Sequence, residues 1–399
     1  MEKTGVMLVG ALGHLAGTVV MGALCLKSGL SAGTGMVTEL EEFSGLGLLG
    51  PGAMVFGGWD VRAGSLSGNV KDLLRSTPGF HEDALAHIEY ELRPLSRNVY
   101  PGTVLNCGEA IRDLAGKGTA REGETPMALV DQLRGDIRDF RARNGVDSVI
   151  VVNLASTEPP IEIQDCHGDP AAFMERLEDG DCSILRAGTL YSCAAILEGA
   201  PYINFTPSNA ALPPALVKLA SAKGVPVMGN DGKTGETLVK SALAPMFKCR
   251  NLEVLSWEGF NILGNMDGKV LDHPENRESK IRTKDRILKE ILGYAPHSGV
   301  HINHVPSLGD RKTAWDFIHF RGFLGVEMSL QFVWQGCDSI LAAPLVIDLV
   351  RLADLARRRG EAGLMPQLAP FFKEPLGIDE HRLFAQFQML LDYASRITR

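Results

Sequence analysis

The chain has 399 residues, enough for two to three domains and a sizeable buried core, which excludes a small disulfide-stapled scaffold. Hydrophobic residues make up 45% and charged residues 22%, an ordinary globular balance that excludes a disordered chain. The 40 basic and 48 acidic side chains leave a formal charge of −8, so nucleic acid is not an expected partner and any anionic ligand needs a local cationic cluster. The 7 cysteines, without a CxxC pair, fit a reduced cytoplasmic chain rather than a disulfide framework or zinc site. Cys166 and His167, adjacent in a loop-like stretch, read as surface residues, and no metal is expected.

Val6 to Leu26 carries no formal charge and approaches membrane-spanning length. Gly10, Gly13, Gly17, His14 and Thr18 interrupt it and only Lys3 supplies a basic flank, so no membrane span or signal peptide is expected. The same residues read as a strand (Val6 to Val9), a glycine turn (Gly10-Ala11-Leu12-Gly13-His14) and a helix running to Leu26. Such a turn lets backbone N–H groups at a helix N-terminus approach a pyrophosphate. Leu12 stands where GxGxxG has its second glycine, and a tight turn without a ligand is the other reading.

A long Gly-rich insertion, Ser28 to Gly52, precedes a second apolar run, Ala53 to Phe56, that ends in Gly57-Gly58-Trp59-Asp60. An acidic residue there suits the adenosine ribose hydroxyls of a dinucleotide; a helix N-cap is the alternative for Asp60. Leu129, Leu133, Ile137 and Phe140 follow helical spacing up to Asn144-Gly145, and Ser148 to Val152 is a buried strand. Further strands at Tyr202 to Phe205 and Val225 to Met228, separated by a helix over Pro214 to Ala222, complete a βαβ rhythm and predict an α/β, doubly wound parallel sheet.

After about residue 250 the rhythm changes. Val254 to Phe260, Val300 to Val305 and Trp315 to Trp334 have strand character, and Val326, Met328, Leu330, Phe332 and Trp334 alternate with Glu327, Ser329 and Gln331. A period of two with one polar face predicts a second sheet open on one side. A helix over Pro344 to Arg359 follows, with Gly360 as its cap.

Three polar packets stand out: Gly229 to Gly235, Asn261 to Gly268 and Ser279 to Lys284. In the first, backbone N–H groups and the Thr234 hydroxyl suit a phosphate, with Lys233 as a point charge; in the third, Lys280 and Lys284 would share a helix face. Turns and a solvated basic face are the alternative reading.

GNDGKTGET, FNILGNMDG, RESKIRTK, SLGDRK, GCDSILAAPLVIDLV and the earlier GGWD resemble, in order and similar spacing, the motifs of the myo-inositol-1-phosphate synthase family. The resemblance covers most of the chain and is densest from Tyr202 to Pro375. It implies a Rossmann-like NAD domain (residues 1–245 and 339–399) and an inserted α+β open-sheet domain (246–338) for catalysis and tetramer formation. The activity implied is NAD-dependent conversion of glucose 6-phosphate to an inositol monophosphate by internal oxidation, enolisation, aldol cyclisation and reduction. By the same resemblance, Lys280, Lys284, Lys373, Asp231, Asp267 and Asp338 are catalytic. Thr234, Gly235, Leu263, Asn265 and Asn261 bind substrate. Gly10, Ala11, Leu12, Gly13, His14, Asp60, Asn153 and Ser156, with Asp231 and Asp338, hold NAD. Three features depart from the family pattern: Thr234 replaces the more usual Ser, GALGHLAG lacks the doubled glycine and asparagine pair, and Asn303 stands where well-studied members often have a lysine, a loss either made up by Lys312 or His304 or marking altered chemistry. A carbocyclase turning fructose 6-phosphate into a five-membered cyclitol phosphate, and a catalytically silent NAD-binding regulator, are the alternatives.

Overall fold

A computed structural model of the protein describes residues 2–76, 82–116, 118–121, 125–264 and 287–398. Strand β1 (Thr4–Val9) is buried along its whole length because it pairs on both edges and helices cover both faces. On one side of it run β2 (Met54–Asp60), β3 (Val99–Thr103) and β4 (Ala120–Arg121). On the other run β5 (Ser148–Asn153), β6 (Tyr202–Asn204), β7 (Pro226–Met228) and the late strand β12 (Gly363–Leu364). Every pairing in this eight-stranded sheet is parallel. The chain leaves β1 toward β2 and β3, then returns to β5 on the opposite side, and a crevice opens beyond the carboxyl ends of the strands where that direction reverses.

Helix α1 (His14–Lys27) packs with the Asp338–Arg358 helix on one face of the sheet, while Pro126–Asn144 and Ala187–Leu197 cover the other. The Asp338–Arg358 helix starts six residues before the expected Pro344, which sits inside it without ending it. The expected stop is in place: Gly360, at φ +69°, follows the last turn. His167 is fully buried, contrary to the surface reading: one ring nitrogen accepts the Gln164 N–H at 2.9 Å and the other meets the Ile184 carbonyl at 3.0 Å. No helix among the described residues is long and apolar enough to cross a membrane.

The Gly-rich insertion is strapped across the Asp338–Arg358 helix by buried polar contacts. Asp348 accepts the Val37 N–H at 2.6 Å, the Thr38 N–H at 3.2 Å and the Thr38 hydroxyl, and Arg351 donates to Thr38 Oγ1 at 2.6 Å and Leu49 O at 3.1 Å. Burial pushes the Asp348 carboxyl up to about 6, against the pull of the Thr38 and Val37 donors and of Arg351. A carboxyl raised on folding contributes most below its unfolded value, near 3.8, and that contribution is lost as pH rises through about 6. Asp348→Asn is therefore expected to gain stability relative to wild type between pH 4 and 6.5, by on the order of 2 kcal/mol. Urea unfolding at both pH values checks this; an unchanged difference would contradict it.

The second sheet has the order β11-β10-β8-β9, from β8 (Glu253–Leu263), β9 (His297–His304), β10 (Arg311–Arg321) and β11 (Glu327–Cys337). The stretch expected as strand from Trp315 to Trp334 is interrupted at 322–326, where Leu324 turns the chain at φ +61°. The helix Gly235–Cys249 covers the inner face, burying Ala244 and Phe247 with Val254, Trp257 and Ile318. On the outer face Val333, Trp315, Phe260 and His301 lie in register across all four strands, with Val333 61% and both Trp315 and Phe260 38% exposed. Leu330, Phe332 and Trp334 alternate with more exposed neighbours as the period of two requires, but Val326 and Met328 at the hairpin tip are exposed.

Candidate active site

Val9 delivers the chain to Gly10, whose φ of +81° only glycine adopts at low cost and whose missing Cβ would stand 3.2 Å from Ala155 Cα. The turn is anchored by Gly10 and Ala11 N–H groups bonding Trp59 O at 2.9 and 3.0 Å. Gly13 is the N-cap of α1 and makes no side-chain cap, and no acidic residue lies in the first turn, so nothing in the helix itself offsets its positive end at the crevice. Gly17 serves packing: a Cβ there would meet Asn69 Nδ2 at 2.8 Å.

Asp60 ends β2 beside this turn and is buried. Its Oδ2 accepts the Leu12 N–H at 2.7 Å, and its Oδ1 accepts the Arg62 N–H at 2.8 Å. Leu12 and Ala11 are themselves buried, so the place of a second glycine holds a side chain turned away and an amide committed to Asp60. Gly10, Gly13, His14, Asp60, Asn153, Ser156, Asp231, Thr234, Asp338 and Lys373 line one cleft of about 260 Å³. Residues expected to hold NAD and residues expected to do chemistry thus share a cavity. Asn153 sits at the end of β5, where its Oδ1 accepts the Ala155 N–H at 3.1 Å.

At the far end, Lys373 Nζ lies 2.7 Å from Asp231 Oδ1, and the pair is almost wholly buried. Asp231 is held by its backbone: its N–H donates to Thr206 O at 3.0 Å and its carbonyl accepts the Lys373 N–H at 2.7 Å, with φ at +61°. The remaining oxygen, Asp231 Oδ2, is buried without a hydrogen-bond partner among the described residues, as is His14 Nδ1. Polar atoms stranded on a cleft wall are what a ligand rich in hydroxyls and amides would satisfy.

Lys312 stands on the inner face of β10, with Nζ 3.7 Å from Asp338 Oδ1. A Cβ on Gly235 would lie 3.6 Å from that ammonium, and Gly235 itself has φ +56°. Asn303 is instead exposed on the outer face of β9, level with Ile262, and His304 turns inward to within 3.4 Å of Gly264 O. Lys312 therefore brings a cation to Asp338, a residue of the cleft wall, while the exposed Asn303 faces outward.

Lys233 is not the expected point charge. It is 2% exposed, outside the cleft lining, and its ammonium bonds Gln386 Oε1 in the helix Leu383–Thr398; burial pulls it down to about 7. Thr234 does line the cleft at the N-terminus of the Gly235–Cys249 helix. Asn261 and Leu263, expected to bind substrate, are buried outside the cleft lining: Asn261 donates to Glu236 Oε2 at 2.6 Å, and Leu263, at the end of β8, accepts the Val305 N–H at 2.9 Å. Asn265, Asp267, Lys280 and Lys284 fall outside the described residues.

Several wall residues escaped sequence reasoning. Asp310, buried and pushed up by that burial, accepts the Ser339 hydroxyl at 2.8 Å and its N–H at 3.2 Å. Glu158, also pushed up by burial, accepts Ser208 Oγ at 2.7 Å and the Gly188 N–H at 2.9 Å. SLGDRK and the Ser of GCDSIL carried the first pair within motifs already singled out; Glu158 gave only an acid in a loop after a strand.

A parallel sheet that reverses beside a glycine turn, with an acid at the end of the second strand, defines a dinucleotide-binding protein of the doubly wound class. A family model of NAD-binding type, described as myo-inositol-1-phosphate synthase, matches residues 4–394, and the chain belongs to that family, with NAD as its cofactor. Inositol-3-phosphate synthase 1 of Bacteroides thetaiotaomicron is 34% identical, over 97% of this chain and 94% of its own length. Among solved structures, inositol-3-phosphate synthase from Caenorhabditis elegans superposes with a TM-score of 0.87 at 24% identity, covering 100% of this chain and 86% of that one. A myo-inositol-1-phosphate synthase-related protein from Thermotoga maritima gives 0.79 at 26% identity, over 99% of both chains.

Proposed function

We propose that the protein converts D-glucose 6-phosphate to 1D-myo-inositol 3-phosphate. The observation that carries the reading is the buried Lys373–Asp231 pair in the same cleft as the Gly10 turn, a cation and a dinucleotide cradle within one cavity. Membership of the synthase family supports it. Gly10, Gly13, His14, Asp60, Asn153 and Ser156 would hold NAD, whose nicotinamide would supply reversible hydride transfer when bound.

The chain's own residues do the rest. Enolisation and ring closure place negative charge on sugar oxygens, and Lys373, oriented by Asp231, holds that charge; Lys312, near Asp338, is the second cation suited to it. Thr234 and Gly235, at the N-terminus of the Gly235–Cys249 helix, suit the phosphate. Lys280, Lys284, Asp267, Asn265, Leu263 and Asn261 complete the substrate site on the strength of their family motifs.

In this reading residues 1–245 and 339–399 form the cofactor domain and 246–338 the inserted catalytic domain. The exposed Val333-Trp315-Phe260-His301 row and the bare Phe323 and Leu324 support burial against further copies in a homotetramer, and the reduced cysteines a cytoplasmic setting.

The test is incubation with NAD⁺ and glucose 6-phosphate followed by NMR of the product. An inositol monophosphate without stoichiometric NADH is expected, because oxidation and reduction act on one bound molecule. A five-membered ring, accumulating NADH or no turnover would each reject the reading.

A further inference from the structure

Asp60 is fully committed before any ligand arrives. Two of its contacts come from fixed backbone amides, Leu12 N–H at 2.7 Å and Arg62 N–H at 2.8 Å. The other two come from the Arg62 side chain, with Nε 3.2 Å from Oδ1 and Nη2 3.3 Å from Oδ2. A carboxylate offers about four acceptor directions, so a ribose diol can reach this one only by displacing the guanidinium. The amides are backbone groups, one in the glycine turn and one two residues past the end of β2, and have less freedom to move than a side chain. Arg62 can: its side chain is 29% exposed against 3% for Asp60.

Both residues line the cleft, and Arg62 and Lys373 are the only arginine or lysine side chains among the described residues that do so. Lys373 is occupied by Asp231. Arg62 is therefore the cation available at the adenosine end, next to the acceptor that a ribose 2′-hydroxyl would use. An arginine at that place is the group that receives a 2′-phosphate in NADP-binding sheets.

We infer that Arg62 is a cofactor-specificity residue, tethered by Asp60 so that the site takes a free 2′-hydroxyl, and able to bind a 2′-phosphate once that tether is removed. The inference rests on Asp60 as the ribose acceptor. It adds that NAD selectivity lies in the pair: the carboxylate both repels a 2′-phosphate and occupies the one cation able to attract it.

The experiment is calorimetric titration of the full chain, as wild type, Asp60→Asn, Asp60→Ser, Arg62→Ala and Asp60→Asn/Arg62→Ala, with ADP and with 2′,5′-ADP as probes. Asn keeps an acceptor for the Leu12 amide and Ser removes it, so one acid variant checks the other, and thermal unfolding confirms that each is folded. Either Asp60 variant should weaken ADP and tighten 2′,5′-ADP, each by about 10-fold, the size of one charge-assisted contact. Removing Arg62 as well should abolish the 2′,5′-ADP gain. Arg62→Ala alone should tighten ADP, because the ribose diol no longer has to displace the guanidinium from Asp60. If the double variant keeps the gain, or no gain appears while ADP is weakened, the role of Arg62 is refuted and Asp60 stands as ribose acceptor. If ADP binds both acid variants as it binds wild type, the ribose assignment itself is wrong.

Discussion

Lys373→Ala is expected to lower kcat by about 100-fold or more while changing KM for glucose 6-phosphate only a few-fold. Lys373 lies almost wholly buried on the cleft wall, 2.7 Å from a carboxylate whose second oxygen has no hydrogen-bond partner among the described residues. A cation held there contributes little to binding a neutral hydroxyl or ketone but much to an enolate or alkoxide, because the gain appears only as charge develops. Arginine should not rescue it: the planar fork cannot occupy the place of a single ammonium beside Asp231. Steady-state kinetics with a parallel NAD⁺ titration decides the matter. Unaltered cofactor affinity with lost turnover is expected, and near wild-type turnover would remove Lys373 from the chemistry.

Gly58→Ala should cost the fold about 4 kcal/mol or more, enough to leave little soluble protein. Gly58 pairs in register with Leu8 on β1 at φ +144°, and a Cβ built there would stand 1.9 Å from Leu8 O and 2.5 Å from Leu8 N. Those are backbone atoms of the central strand, which cannot step aside as a side-chain tip would. Gly135, exposed within the Pro126–Asn144 helix with open space at its Cβ position, provides the contrast: alanine there should stabilise by about 0.5–1 kcal/mol. Urea midpoints of the two variants should move in opposite directions; a Gly58→Ala midpoint equal to wild type would show the strand pair to be more yielding than its geometry implies.

The doubly wound core was legible because its strands are short apolar runs and its helices carry clear stops, as Phe140 followed by Asn144-Gly145 shows. Strand β3, reading VYPGT, carried no such mark: a proline and a glycine in five residues spell a turn, and its pairing with Gly58 to Asp60 on one edge and with β4 on the other makes it a strand. GGWD likewise looked like the end of a run. Its glycines lie inside β2, where Gly57 makes room for Asn98 and Phe140, so they serve sheet packing rather than a ligand. In the candidate site the residue types were readable but their directions were not. Lys233 lies in GNDGKTGET and Lys373 in the Tyr202 to Pro375 stretch where the resemblance is densest, yet the first points into the core toward Gln386 and the second lines the cleft. Asn303 and Lys312 were separated only by strand alternation across β9 and β10, which placed the first outward and the second inward.

The late strand β12 has a consequence for synthesis. Gly363–Leu364 pairs with β7, Phe372 bridges to Gly232, and Lys373 is tied to Asp231 by its backbone as well as its side chain. The cleft's walls therefore span from Val9 to Lys373, and a nascent chain emerging from the ribosome can complete its glycine cradle long before the cation arrives to close it. Until then the β7 edge stands open, an unpaired template for other strands. With Lys373 in its proposed role, a partly made polypeptide would gain its catalytic cation at nearly the same moment as cover for its β7 edge, since one short segment supplies both.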